Sequence, residues 1–172
     1  MHNSFKEAIN STAWKLSGVL SSLHELFKDV PARRQDYKDV TGHELYPLQM
    51  CSHRWVENLS VCERVIAIRR SIIQYVKAVK AKKVCRPTTK SFAVVEAWAD
   101  DPLASAKLAF VASVARIIEP FLKKYQSDEP LITFFYEDIL QMIKTLMSLR
   151  EENHPLRLQA VECILPTERK KT

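Results

Sequence analysis

Apolar residues recur at steps of three and four along most of the chain. Over residues 4–28, Phe5, Ile9, Ala13, Leu16, Leu20, Leu23 and Phe27 fall on one face of a helix. Pro31 makes further helix costly. Residues 31–54 carry turn signals instead, namely Arg33-Arg34, Thr41-Gly42-His43 and Tyr46-Pro47, with no clean alternation for a strand. A second helix is predicted from Trp55 or Leu59 to Lys83. Its stripe is Leu59, Cys62, Val65/Ile66, Arg69, Ile72/Ile73, Val76 and Val79. Ser60 and Glu63 have capping-box spacing, and Lys80, Lys82 and Lys83 suit the negative end of the helix dipole.

A connection around Pro87 follows, then a short helix or extended piece over residues 92–99. Asp101-Pro102 reads as the cap and first residue of a third long helix. Its predicted core face is Leu103, Ala106, Phe110, Val114, Ile117/Ile118, Phe121 and Leu122, with Pro120 kinking or loosening its last turn. Asp128-Glu129-Pro130 repeats the start signal. The fourth helix carries Leu131, Phe134/Phe135, Ile139, Met142/Ile143, Leu146 and Leu149. The short connection predicts that helices three and four pack antiparallel. In the tail, residues 156–163 suit a brief helix and the last six residues a frayed end. The expectation is an all-α fold, an irregular bundle of about four long helices with little or no strand.

Composition narrows this further. The chain of 172 residues holds 2 Gly beside 8 Pro. Two glycines cannot supply the positive-φ turns of a many-stranded sheet, nor build a G-x-G-x-x-G or G-x-x-x-x-G-K phosphate loop. The 47% hydrophobic and 27% charged content fits a folded domain. No apolar run reaches the roughly 18 residues of a membrane helix, and no basic segment leads into an apolar run as in a signal peptide. No membrane partner is therefore expected. Cys51, Cys62, Cys85 and Cys163 are irregularly spaced, which favours free thiols in a reducing compartment, cytoplasm or nucleus.

Catalytic chemistry finds little footing. Cys51-x-His53 is a single tight pair, whereas structural zinc uses two. Ordinary thiols beside a surface histidine explain it better, and no metal or cofactor is expected. None of His2, His24, His43, His53 and His154 lies in a nucleophile–base signature. Asp100-Asp101 and Glu151-Glu152 are adjacent pairs, which do not face each other on a helix.

The basic stretch says more. Arg64, Arg69, Arg70, Lys77, Lys80, Lys82, Lys83, Arg86 and Lys90 follow one another with no Asp or Glu between them, in a chain of net charge +6. Such a surface neutralises phosphates with counterion release. A solvated helix face with a basic end is the competing reading. Arg54-Trp55 precedes the second helix; its indole could stack on an exposed base or anchor the core.

The run Leu23-His-Glu-Leu-Phe-Lys-Asp-Val-Pro-Ala-Arg33-Arg34, then Leu45-Tyr-Pro-Leu, then Cys51-Ser-His-Arg54-Trp55-Val-Glu-Asn58, resembles the central part of hAT-superfamily DNA transposases and their domesticated relatives. Val76 to Lys83 and Phe121-Leu-Lys-Lys-Tyr-Gln126-Ser-Asp128-Glu-Pro130 resemble the family's helical insertion domain. His2-Asn3-Ser4-Phe5 resembles the residues at or just after its Cys-x-x-His element. The resemblance covers about residues 2–150. It implies a core-derived RNase H-like helix and loop over 1–50, an insertion-type domain over 51–150, and a C-terminal tail over 151–172. It further implies that Arg54 and Trp55 lie near DNA, with Trp55 stabilising an unstacked base. The family's three catalytic acids would fall before Met1 and beyond Arg150, so the resemblance implies a transposase-derived fragment with no enzymatic activity.

The combined expectation is DNA binding without sequence specificity through Arg54, Trp55, Arg69, Arg70, Lys77, Lys80, Lys82 and Lys83. The alternatives are a helical interaction or self-association module, and a truncated product without selected function.

Overall fold

The computed structural model describes residues 2–52, 55–126 and 131–149. Among them the architecture is all-α, with no strand. The helices are α1 (His2–Asn10), α2 (Leu16–Phe27), α3 (Pro31–Thr41), α4 (Leu59–Lys80), α5 (Lys90–Asp100), α6 (Ala104–Lys124) and α7 (Phe135–Ser148). Short 3₁₀ turns, Trp55–Asn58 and Ile132–Phe134, lead into α4 and α7. Among the described residues, seven helices replace the expected four or so.

The predicted first helix is two helices. The Ser11 and Thr12 hydroxyls turn back to donate to the carbonyls of Ala8 (2.8 Å) and Ile9 (2.6 Å). Such side chains compete with the helical ladder. Lys15 then adopts left-handed backbone with φ 51°. The break lets α1 pack against the 3₁₀ turn Trp55–Asn58 while α2 packs against α5. The intended stripe survives it: Phe5, Ile9, Leu16, Leu20, Leu23 and Phe27 are all buried, and Ala13, inside the break, is exposed.

α3 was expected to be loop. It has Pro31 at its start and Gly42, φ 70°, at its end, but only Tyr37 is buried. Tertiary contacts hold it. Arg33 donates to the Leu26 carbonyl, and Arg34 Nε to the Phe27 carbonyl at 2.7 Å, satisfying the exposed end of α2. Gln74 of α4 donates to the Val40 carbonyl at 2.6 Å. Tyr37 joins Phe27, Tyr46 and Tyr75 in an aromatic cluster with centroid distances of 5.0–6.0 Å.

α4 is the central helix. Val65, Ile68, Ile72, Tyr75, Val76 and Val79 lie in a core cluster that draws on both sides of residue 50. Removing one such side chain to alanine costs about 2–5 kcal/mol. The predicted cap at Ser60 is replaced: α4 begins at Leu59. Asn58 clamps the preceding loop, exchanging two 2.7 Å hydrogen bonds with the Cys51 backbone. Glu63 pairs instead with Arg116 of α6 at 2.7 Å.

α6 begins at Ala104, not at Pro102. Asp101 ends α5 and accepts the Leu103 N–H at 2.9 Å. The predicted core face holds at Ile118 and Phe121, which are buried, and at Val114 and Leu122, which pack against the core. Over the first half of the helix it differs: Ala104, Leu108, Val111 and Ala115 are buried, while Leu103 and Phe110 are exposed. α6 is apolar around most of its circumference, so spacing alone leaves open which side packs on α4. Phe110 packs edge-on against Trp14 at 5.8 Å. The helix runs through Pro120 to Lys124. α7 returns antiparallel along α6, as expected, with Lys124 and Tyr125 both reaching Asp138. The start signal at residues 128–130 and the tail helix at 156–163 lie outside the described residues.

Candidate nucleic-acid interface

The cations that looked like one block are distributed by the fold into separate tasks. Arg69 lies on the apolar stripe of α4 and turns inward. Its guanidinium stands over the Trp98 ring at 5.7 Å and donates to the Asp101 carbonyl at 3.2 Å. Burial pushes its pKa down, opposed by the Asp101 charge, and it joins α4 to the α5–α6 corner. Its place on the apolar stripe was the sequence sign of that role.

Lys80 is held by both carboxylate oxygens of Asp100, at 2.7 and 2.9 Å. Arg86 pairs with Glu96 at 2.8 Å and covers the Phe92 ring. Arg64 donates to the Tyr46 carbonyl at 3.2 Å. The run contains no acid, yet α5 brings two acids alongside it.

What remains is a smaller group. Arg70, Gln74 and Lys77 follow one another at i, i+4 and i+7 on the α4 face toward the end of α3. With Lys83 they line an open groove of about 660 Å³ floored by Ile73, Ala78 and Ala81. Asp39 and Val40 of α3 form the opposite wall. Among the described residues, Lys77, Lys82, Lys83 and Lys90 make no ion pair. Lys82 has φ 57° in the turn that ends α4, beside Lys83. Lys77 and Lys83 give their side of the groove a positive field, and Asp39 on the opposite wall already accepts from Gln35 at 2.7 Å. The α3 wall was not expected from the sequence, since α3 carries almost no apolar stripe.

The Arg-Trp element lies elsewhere. Trp55 opens the 3₁₀ turn before α4, and Arg54 and the Trp55 side chain fall outside the described residues. Leu59 and Lys77 are separated by about 27 Å of helical rise along α4. The turn and the groove therefore occupy opposite ends of one helix.

No three His, Cys, Asp or Glu side chains converge as metal ligands among the described residues. Cys62 is buried, and desolvation pushes its thiol up to about 12; Cys51 and Cys85 are exposed free thiols. Asp100 and Asp101 are both engaged, Asp101 with Lys107 at 2.5 Å. Among the described residues, no helix is long and apolar enough to cross a membrane. Comparison of the chain with protein-family models, curated proteins and solved structures gives no match.

Proposed function

We propose that the groove between α3 and α4 binds the nucleic-acid backbone, DNA in the first instance, without sequence preference. The reading is of a nuclear or cytoplasmic protein of transposase-like, hAT-type descent with no catalytic role of its own. One observation carries it: Lys77 and Lys83, which make no ion pair among the described residues, line an open groove while the neighbouring Lys80 and Arg86 are neutralised by α5. Long cationic side chains around a shallow, apolar-floored groove suit a phosphate track, whose charge they neutralise with release of condensed counterions. Gln74 of the groove is already engaged with the Val40 carbonyl at 2.6 Å, which leaves the lysine ammoniums to contact phosphates and favours backbone over sequence.

The test is fluorescence anisotropy of the full chain with labelled duplexes of unrelated sequence. Comparable affinities that fall steeply with salt are expected, with loss of binding in Lys77→Glu/Lys83→Glu. Undiminished binding by that double variant overturns the assignment.

A further inference from the structure

We infer that the outer face of α7 is a self-association seam that pairs antiparallel with α7 of a second copy. α7 carries two apolar stripes. The inner one is anchored on α6, with Phe135 packed on Phe121 and Tyr125 at 5.7 and 5.1 Å, and Met142 on the core cluster. The outer one, roughly 100° around the helix, is Tyr136, Leu140, Ile143 and Met147. Tyr136 is 70% exposed, Ile143 42% and Met147 67%; Leu140 is half-buried.

The spacing of this outer stripe is four, three, four. That alternation keeps a seam facing a partner helix, as at the a and d positions of a coiled coil. An amphipathic helix that needed only α6 would place polar residues there.

The charges choose the occupant and its direction. Glu137 follows Tyr136, and Lys144 follows Ile143, so each flanks the seam on the same side. Both are exposed, and neither makes an ion pair among the described residues. In an antiparallel pair the positions just after d face their own kind across the seam. Glu137 of one copy then meets Lys144 of the other, and two-fold symmetry makes the contact twice. A parallel pair would set these charges against Ile139 and Leu146, which lie on the flank toward α6, and leave them unmatched. A second copy of this chain is therefore the surface that complements both the stripe and its charges. One helix pair buries little area, which places the dimer in the weak, roughly micromolar class.

Sedimentation equilibrium of the full chain tests this over a wide concentration range. A monomer–dimer equilibrium is expected. Glu137→Lys alone and Lys144→Glu alone should each weaken it by about tenfold, because each sets like charges together twice. The double swap Glu137→Lys/Lys144→Glu should restore wild-type affinity, which a mere loss of helix stability would not do. A monomer at all concentrations overturns the inference, whether residues 150–172, another protein or solvent meets the face. A dimer indifferent to the single swaps, or not restored by the double, overturns it equally.

Discussion

Replacing Lys77 and Lys83 together by alanine removes the two groove cations that make no ion pair among the described residues. Each phosphate contact on duplex DNA contributes about 0.9 to the slope of log affinity against log salt. Loss of both should lower that slope by about 1.8. Near 0.1 M salt each contact accounts for about 0.9 log unit, so the pair should cost about sixtyfold in affinity, or roughly 2.5 kcal/mol. Lys80→Ala is the matched comparison. It removes the same charge one turn away, but that charge is already held by Asp100, so affinity and slope should change little. Its stability cost should stay within about 1 kcal/mol, as for other exposed pairs. The assay is duplex-DNA anisotropy across a salt series with wild type and both variants. A slope unchanged in Lys77→Ala/Lys83→Ala refutes the groove as the phosphate track. An equal loss in Lys80→Ala refutes the claim that the α5 acids divide the basic run.

Three further outcomes follow from the packing. The Tyr75 hydroxyl is buried without a partner among the described residues, and burial pushes the phenol up to about 12. Tyr75→Phe should be neutral or stabilising by up to about 1 kcal/mol in urea unfolding, and a clear destabilisation would show that the hydroxyl is satisfied. For the wild type, this raised value means stability falls as pH climbs above 10.0, where the unfolded phenol ionises first. Lys15 has φ 51°, so Lys15→Gly should stabilise by about 0.5–1 kcal/mol by relieving the left-handed strain; a lower melting temperature would contradict this. Asp101 is held below its ordinary 3.8, chiefly by the Lys107 ammonium, so its contribution is complete above that value and lost as pH falls through the depressed one. Asp101→Asn should therefore destabilise by about 1 kcal/mol at neutral pH, with the difference from wild type shrinking as pH falls below 3.8, both read by chemical denaturation.

The helical class was legible because it rests on local signals. The apolar residues of α2 and α4 repeat at helical spacing, and two glycines leave few turns for a sheet. Element boundaries were less legible where side chains act on the backbone. Ser11 and Thr12 break a stripe that still lands in the core, and Asp101 closes α5 when its sequence neighbour Pro102 suggested a start. α3 was missed because one buried tyrosine makes no periodic pattern. Its support comes from Arg33, Arg34 and Gln74, whose partners lie on other helices.

The candidate site divides along the same line. That many cations cluster near α4 with no acid among them is readable along the chain, because charge and order are properties of the chain. Which of those cations face solvent together depends on the folded arrangement. It sent Arg69 inward against Trp98, matched Lys80 and Arg86 with Asp100 and Glu96, and set Arg70, Lys77 and Lys83 opposite α3. It likewise decided which apolar stripe of α6 and of α7 is covered. Periodicity identifies a face that can be buried, but the neighbour that buries it comes from elsewhere in the chain, and pairing across such distances is written in no local window.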